Sequence, residues 1–189
     1  MSRILSSLLF SVFAASVAHA ADMDGLIRGC NGCHGENGVS AGGAMPSIGG
    51  QPEAYLSNIL TEWNKADRQA GTMNRHAKGY KPEEIAALAK FYSAKPWAPV
   101  AQTGSADLIA KGKAIASEKC ADCHGDTGKS DDAKTPNLNG QSATYMELEL
   151  MKYRDDGFKM TNAKMKKNAR KLSEADLEAV TKFFASQSK

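Results

Sequence analysis

Apolar and polar positions along the chain recur with a helical period, and no stretch shows the period of two that marks a half-buried strand. Residues 53–66 place Tyr55, Ile59 and Trp63 at four-residue spacing, and residues 143–154 carry Tyr145, Leu148 and Tyr153 in a similar way. Residues 106–119 are predicted as a helix running into Cys120, with a shorter counterpart at 22–29 before Cys30. Two amphipathic helices are expected further on. One opens at Pro82, followed by Glu83 and Glu84, which suit the positive end of a helix dipole. The other opens at Ser173 with Asp176 three residues later, a capping-box start. Ile85, Leu88, Phe91 and Tyr92, and likewise Leu177, Val180, Phe183 and Phe184, fall at i, i+3, i+6 and i+7, a single buried stripe. The chain is therefore expected to be all-α.

The first twenty residues follow a different pattern. Arg3 is the only charge before Asp22, Ile4 to Val17 is apolar apart from serines, and Ala18-His19-Ala20 offers a small-x-small cleavage site. This predicts a secretory signal peptide over 1–20, cleaved near Ala20, since the run is short for a membrane span. No later segment is apolar for long enough to cross a bilayer, so the mature protein is expected to be exported, to a periplasm.

The remainder repeats itself. Cys30-Asn31-Gly32-Cys33-His34 recurs as Cys120-Ala121-Asp122-Cys123-His124, an offset of 90 residues. The same offset relates Gly35 to Gly125, Pro46 to Pro136, Gly50-Gln51 to Gly140-Gln141, and Tyr55 to Tyr145. Beyond Tyr145 the offset becomes 92, relating Ile85 to Leu177 and Tyr92 to Phe184, so the second copy has gained two residues. Such self-similarity indicates a tandem duplication. The expected boundaries are a first domain over 21–94, a linker over 95–105 with Pro96, Pro99 and a Gly-Ser pair, and a second domain over 106–189.

Composition narrows the possibilities. Of 189 residues, 42% are hydrophobic and 24% charged, a globular balance. A net charge of +3 is too mild to argue for nucleic acid. Four cysteines are too few for a disulfide scaffold, yet domains this small need a staple, and every cysteine lies in a repeated motif.

That motif is C-x-x-C-H. Two thiols three residues apart on one turn can add to the vinyl groups of one heme, and the histidine that follows then lies under the iron as the proximal ligand. The residues are Cys30, Cys33 and His34 in the first copy and Cys120, Cys123 and His124 in the second. A thioredoxin-type dithiol lacks its strand-to-helix context here. A four-cysteine zinc site or two short disulfides would leave both histidines unexplained. Methionine is the expected sixth ligand. Met73 is the only methionine between the middle and last helices of the first copy. The second copy offers Met160 and Met165, and the offset of 92 matches Met165 to Met73, leaving Met160 as a core side chain. Met23, Met45, Met146 and Met151 are expected to pack. Pro46 and Pro136, each 12 residues after the histidine, are candidates to accept the bond from its outer ring nitrogen. Trp63, Tyr80 and Tyr153 are candidates for heme propionates or for core packing. His76 has no counterpart in the second copy and is expected at the surface or beside the site. The basic run around Lys164, Lys166 and Lys167 is a docking patch or a solvated face.

The duplicated C-x-x-C-H, Gly-Gln-x-x-x-Tyr and Met-x6-(Leu/Tyr) pattern resembles diheme class I cytochromes c of the cytochrome c4 type. It is also similar to the diheme cytochrome subunit of flavocytochrome c sulfide dehydrogenase. Met73-Asn74-Arg75-His76-Ala77-Lys78-Gly79-Tyr80, and Met160 to Met165 followed by lysines, look more like the flavocytochrome subunit. The first copy departs from the pattern in lacking a glycine eight residues before its first cysteine, where the second has Gly112. The resemblance implies two tandem class I cytochrome c domains, each wrapped around one covalent heme c. With histidine and methionine in both axial positions, no site remains for a substrate, so the chain is expected to carry electrons rather than to be an enzyme. The implied donor is an FAD-containing sulfide dehydrogenase subunit, and the acceptor a downstream cytochrome or oxidase. The alternative is a free cytochrome c4 serving a terminal oxidase or reductase.

Overall fold

The computed structural model describes residues 23–188; the expected signal segment 1–20 lies outside the described residues. Nine α-helices form among these residues, and no strand. Helix α1 (23–34) is followed by a 3-10 turn at Glu36–Gly38, then α2 (Glu53–Asn64), α3 (Met73–Ala77) and α4 (Pro82–Ser93). The second set is α5 (Ala106–Lys119), α6 (Ala121–His124), α7 (Ala143–Arg154), α8 (Ala163–Ala169) and α9 (Glu174–Ser186).

The helix starts follow the side chains that can satisfy free N–H groups. Ser105 accepts from Leu108 N–H at 3.3 Å to cap α5. Ser173 and Asp176 exchange side-chain and backbone bonds of 3.2 Å, a complete capping box on α9. At α4 only half of that box forms: Lys81 N–H donates to the Glu84 carboxylate at 2.7 Å, because lysine has no acceptor to return. Helix α1 extends further than the expected 22–29, continuing through the first cysteine motif to residue 34. In the second domain the helix breaks at Cys120 instead, giving α5 and α6.

Each terminal helix buries the expected stripe. Ile85, Leu88 and Tyr92 on α4 are buried, as are their counterparts Leu177, Val180 and Phe184 on α9. Helix α5 lies against α9, with Gly112 at the crossing. The α7 face differs from expectation. Ala143, Met146 and Tyr153 point inward, and Leu148 points to solvent. Met45 and Met151 are also exposed rather than packed, while Met146 is buried and Met23 packs against the first core.

The two extra residues of the second copy can be located. Helices α2 and α7 both have 12 residues, and the loops 65–72 and 155–162 that follow are equal in length. Helix α3 has 5 residues and α8 has 7, and both end on a buried alanine, Ala77 and Ala169. The insertion is therefore Ala163-Lys164, which lengthens α8 at its start.

Residues 95–105 contain no helix and run between the domains. Gly50 (φ 75°) and Gly140 (φ 69°) make room for this strand of chain: a Cβ on them would lie 2.3 Å from Trp97 N and 2.4 Å from Pro99 Cβ. The Trp97 indole N–H donates to Asn139 O at 3.1 Å, and Val100 N–H to Gly140 O at 3.1 Å. The segment passes close to Gly50 of the first domain and is hydrogen-bonded to the second.

The domains also meet directly. Gln69 and Lys159, related by the repeat offset of 90, are joined by two bonds of 2.9 Å. Beside them Arg68 is buried. It reaches Glu149 at 3.3 Å, Glu62 at 3.9 Å and the Tyr153 hydroxyl. Arg68 and Glu62 belong to the first domain, Glu149 and Tyr153 to α7 of the second.

Candidate functional site

The C-x-x-C-H segments lie on single helical turns, with both thiols and the histidine brought close by the α-helical spacing. His34 and His124 are each only 8% exposed. The His34 Nδ1–H donates to Pro46 O at 2.9 Å, and the His124 Nδ1–H to Pro136 O at 3.2 Å. A carbonyl can only accept, so Nδ1 carries the proton in both rings and Nε2 keeps its lone pair. Burial lowers the pKa of both histidines, opposed by the carbonyl bond, and the charge of nearby His76 lowers that of His34 further. Both imidazoles are thus held neutral, oriented and ready to ligate a metal through Nε2.

The four cysteines are not joined to one another. Burial raises the thiol pKa of Cys30, partly offset by the Tyr92 and Tyr80 hydroxyls, and pushes that of Cys120 up to about 11. Among the described residues no group of three or more His, Cys, Asp or Glu side chains is assembled to hold a bare metal ion. The two thiol pairs stand in separate domains, so neither a four-cysteine metal site nor a cross-linking scaffold is formed.

Met73 opens α3 and is half-buried. Met165 is the third residue of α8, also half-buried, and its N–H is held by the Asn162 side chain at 2.9 Å. Met160 and Met165 pack against one cluster of Tyr153, Phe158 and Ala169. Two residues that sequence reasoning missed fix the loop around Met73. Asn64 donates to Ala77 O at 2.8 Å and Tyr80 O at 2.9 Å, and Asn74 donates to Arg68 O at 2.7 Å. The repeat gave no signal for either, because the equivalents are Arg154 and Lys166.

The donor set fits a covalent heme. Each domain offers two thiols and one neutral histidine with a free Nε2 on a single turn. In addition, the Trp63 indole N–H is buried without a partner among the described residues, a donor suited to a propionate. Tyr153 does not share that role: its hydroxyl donates to Glu149 at 2.8 Å and accepts from Arg68. His76 is exposed, as expected.

A helical unit of this kind, built twice around a thiol–thiol–histidine turn with the histidine tied to a proline carbonyl, is a class I cytochrome c domain in tandem. The comparisons with known proteins agree. A family model described as cytochrome c matches residues 109–188. Over 200 residues the chain is 30% identical to the thiosulfate dehydrogenase electron acceptor of Thiomonas intermedia, covering 99% of this chain and 92% of that one. It is 27% identical to cytochrome c4 of Pseudomonas aeruginosa, covering 97% and 98%. The cytochrome subunit of sulfide dehydrogenase from Chlorobaculum tepidum is 40% identical over 63 residues, 33% of this chain and 56% of that one. The crystal structure of reduced cytochrome c4 from Pseudomonas stutzeri superposes with a TM-score of 0.74 at 24% identity, over 89% of this chain and 98% of that one.

The chain belongs to the cytochrome c family, as a diheme class I cytochrome of the cytochrome c4 type. Its cofactors are two covalently bound hemes c, and it is an electron-transfer protein rather than an enzyme in its own right. Among the described residues no helix is long and apolar enough to cross a membrane.

Proposed function

We propose that Cys30 and Cys33 hold one heme and Cys120 and Cys123 the other, with His34 and His124 as proximal axial ligands and Met73 and Met165 as distal ones. The observation that carries this is the repeated bond from the histidine Nδ1–H to the proline carbonyl 12 residues on. A bound heme supplies a one-electron couple, and axial methionine favours its reduced state. The protein's part is to hold the imidazoles neutral, keep water from them and leave no coordination site open. Met165 is preferred over Met160 because α3 and α8 both end on a buried alanine, and Met165 precedes Ala169 by four residues as Met73 precedes Ala77. The domains are taken as 21–94 and 106–189 with a linker at 95–105. Export to the periplasm follows from the signal-like segment at 1–20.

The protein accepts electrons from a dehydrogenase of reduced sulfur compounds and passes them to a downstream cytochrome or oxidase. Support comes from the roles for which the Thiomonas and Chlorobaculum relatives are named. It also comes from the loop after Met73, where Arg75, Lys78 and Gly79 are exposed around buried Ala77, presenting cations beside the proposed ligand. An FAD-containing subunit is the favoured donor, on the Arg75-x-Ala77-Lys78-Gly79-Tyr80 segment. A free cytochrome c4-type carrier is the second reading, favoured by the full-length match to that family. Stopped-flow reduction by a purified FAD subunit plus sulfide decides between them. Slower reduction of Arg75→Ala and Lys78→Ala, with a weaker salt dependence, is the expected result. Failure of any such flavoprotein to reduce the wild type selects the second reading.

A further inference from the structure

The two Gly-Gln pairs of the repeat meet the opposite domain by exchanging partners. Gln141, in the second domain, accepts from Ser47 N–H at 2.9 Å and donates to Ser47 O at 2.8 Å. Gln51, in the first domain, accepts from Asn137 N–H at 2.8 Å and donates to Asn137 O at 2.9 Å. Ser47 and Asn137 are themselves related by the offset of 90, so one clamp is the pseudo-two-fold image of the other. Both glutamines are only 3% exposed, and every polar atom of their side chains is engaged across the domain boundary.

Each clamp falls one residue beyond a proline that orients a histidine. The peptide joining Pro46 to Ser47 carries both the carbonyl that accepts from His34 and the N–H that Gln141 holds. The peptide joining Pro136 to Asn137 does the same for His124 and Gln51. A peptide unit is planar, so fixing its N–H fixes the direction of its C=O. Polarising the N–H also strengthens the carbonyl as an acceptor. We infer that Gln141 and Gln51 are reciprocal positioning residues: each domain orients the axial histidine of the other, so docking of the domains sets the electronic environment of both hemes. The inference rests on the assignment of His34 and His124 as iron ligands.

The two clamps are not identical. Ser142 N–H also donates to Gln141 Oε1 at 3.0 Å, which pre-orients that side chain from within its own domain. The equivalent residue after Gln51 is Pro52, which has no N–H to give. Gln141 is therefore the more firmly held clamp, and His34 the more firmly held histidine, consistent with its shorter carbonyl bond of 2.9 Å against 3.2 Å.

The test is made on the full-length diheme protein, with Gln141→Ala, Gln51→Ala and, as a control at a separate interdomain contact, Gln69→Ala. Solvent exchange of each histidine Nδ1 proton is followed by NMR with labelled histidine, and each heme potential by redox titration. Gln141→Ala is expected to speed exchange at His34 by about tenfold, the effect of losing one ordinary hydrogen bond. It should leave His124 unchanged. The potential of the first-domain heme should rise, because a weaker Nδ1 bond makes the imidazole a poorer donor to oxidised iron. Gln51→Ala should do the same to His124 and the second heme. Gln141→Glu keeps the acceptor for Ser47 N–H and should give a smaller effect. Perturbation of the heme in the mutated residue's own domain, or an equal change from Gln69→Ala, would overturn the inference. An oxidised wild type in which His34 and His124 show no paramagnetic shift would instead overturn the ligand assignment, independently of the variants.

Discussion

Gly112 on α5 lies directly over the carbonyl of Ala179 on α9, so that a Cβ at position 112 would come within 2.0 Å of that oxygen and 2.8 Å of Phe183 Cβ. The contact lets the helix entering the second cysteine motif cross the terminal helix at backbone distance. Gly112→Ala gains about 1 kcal/mol of helix propensity. It also forces two backbones apart, and overpacking of this kind costs about 1–3 kcal/mol or more. The clash should win. Denaturant unfolding is expected to show a lower midpoint for Gly112→Ala and a lower one still for Gly112→Val. An unchanged or higher midpoint for alanine would mean that the crossing relaxes freely.

Substitution of the proposed distal ligands separates the methionines. Met73→Ala and Met165→Ala should each remove the iron–sulfur absorption of one heme and lower that heme's potential, while Met160→Ala leaves both bands intact. Loss of the band in Met160→Ala alone would reverse the assignment, since both side chains pack against Tyr153, Phe158 and Ala169.

Arg68 is a buried electrostatic link between the domains. Removing one partner of a buried ion pair strands the other charge and costs about 3–5 kcal/mol. Arg68→Met should therefore destabilise, leaving Glu149 with only the half-exposed Lys152 at 2.7 Å as countercharge, and calorimetry should resolve separate unfolding of the two domains. Adding Glu149→Gln to that variant is expected to recover part of the loss. A double variant no more stable than Arg68→Met would rule out stranded charge as the cause.

Acid should weaken the start of α9. Bonds from Lys111, and then from Ser173, hold the Asp176 carboxyl down to about 2 from an ordinary value of 3.8. Between those values the unfolded chain binds more protons than the folded one, so this contribution is present above about pH 4 and is lost as pH falls toward about 2. Thermal midpoints measured from pH 7 to pH 2 should show Asp176→Asn below wild type at neutral pH, with the gap closing through the acid range. A gap independent of pH would show that the carboxylate charge has no part in the cap.

Much of this molecule was legible in one dimension. Helical periods, the capping residues of α9 and the duplicated C-x-x-C-H motif are local: spacing along a helix fixes which side chains share a face, and a thiol pair three residues apart meets on one turn wherever that turn lies. The histidine–proline bond was also readable, because both partners recur at a constant separation of 12 residues. Leu148, Met45 and Met151 were misplaced because which face of a helix is buried depends on neighbours distant in sequence. The same holds for Asn64, Asn74 and Arg68, whose partners have no periodic relation to them. The Gly-Gln repeat was visible as a pattern, but its meaning lies in an exchange across 86 residues in one direction and 94 in the other. Sequence determined two cytochrome domains and the residues proposed to hold their hemes. Only the tertiary structure decided that the domains clamp one another beside the histidines, because a hydrogen bond between separate units depends on how they dock, and no local propensity encodes that.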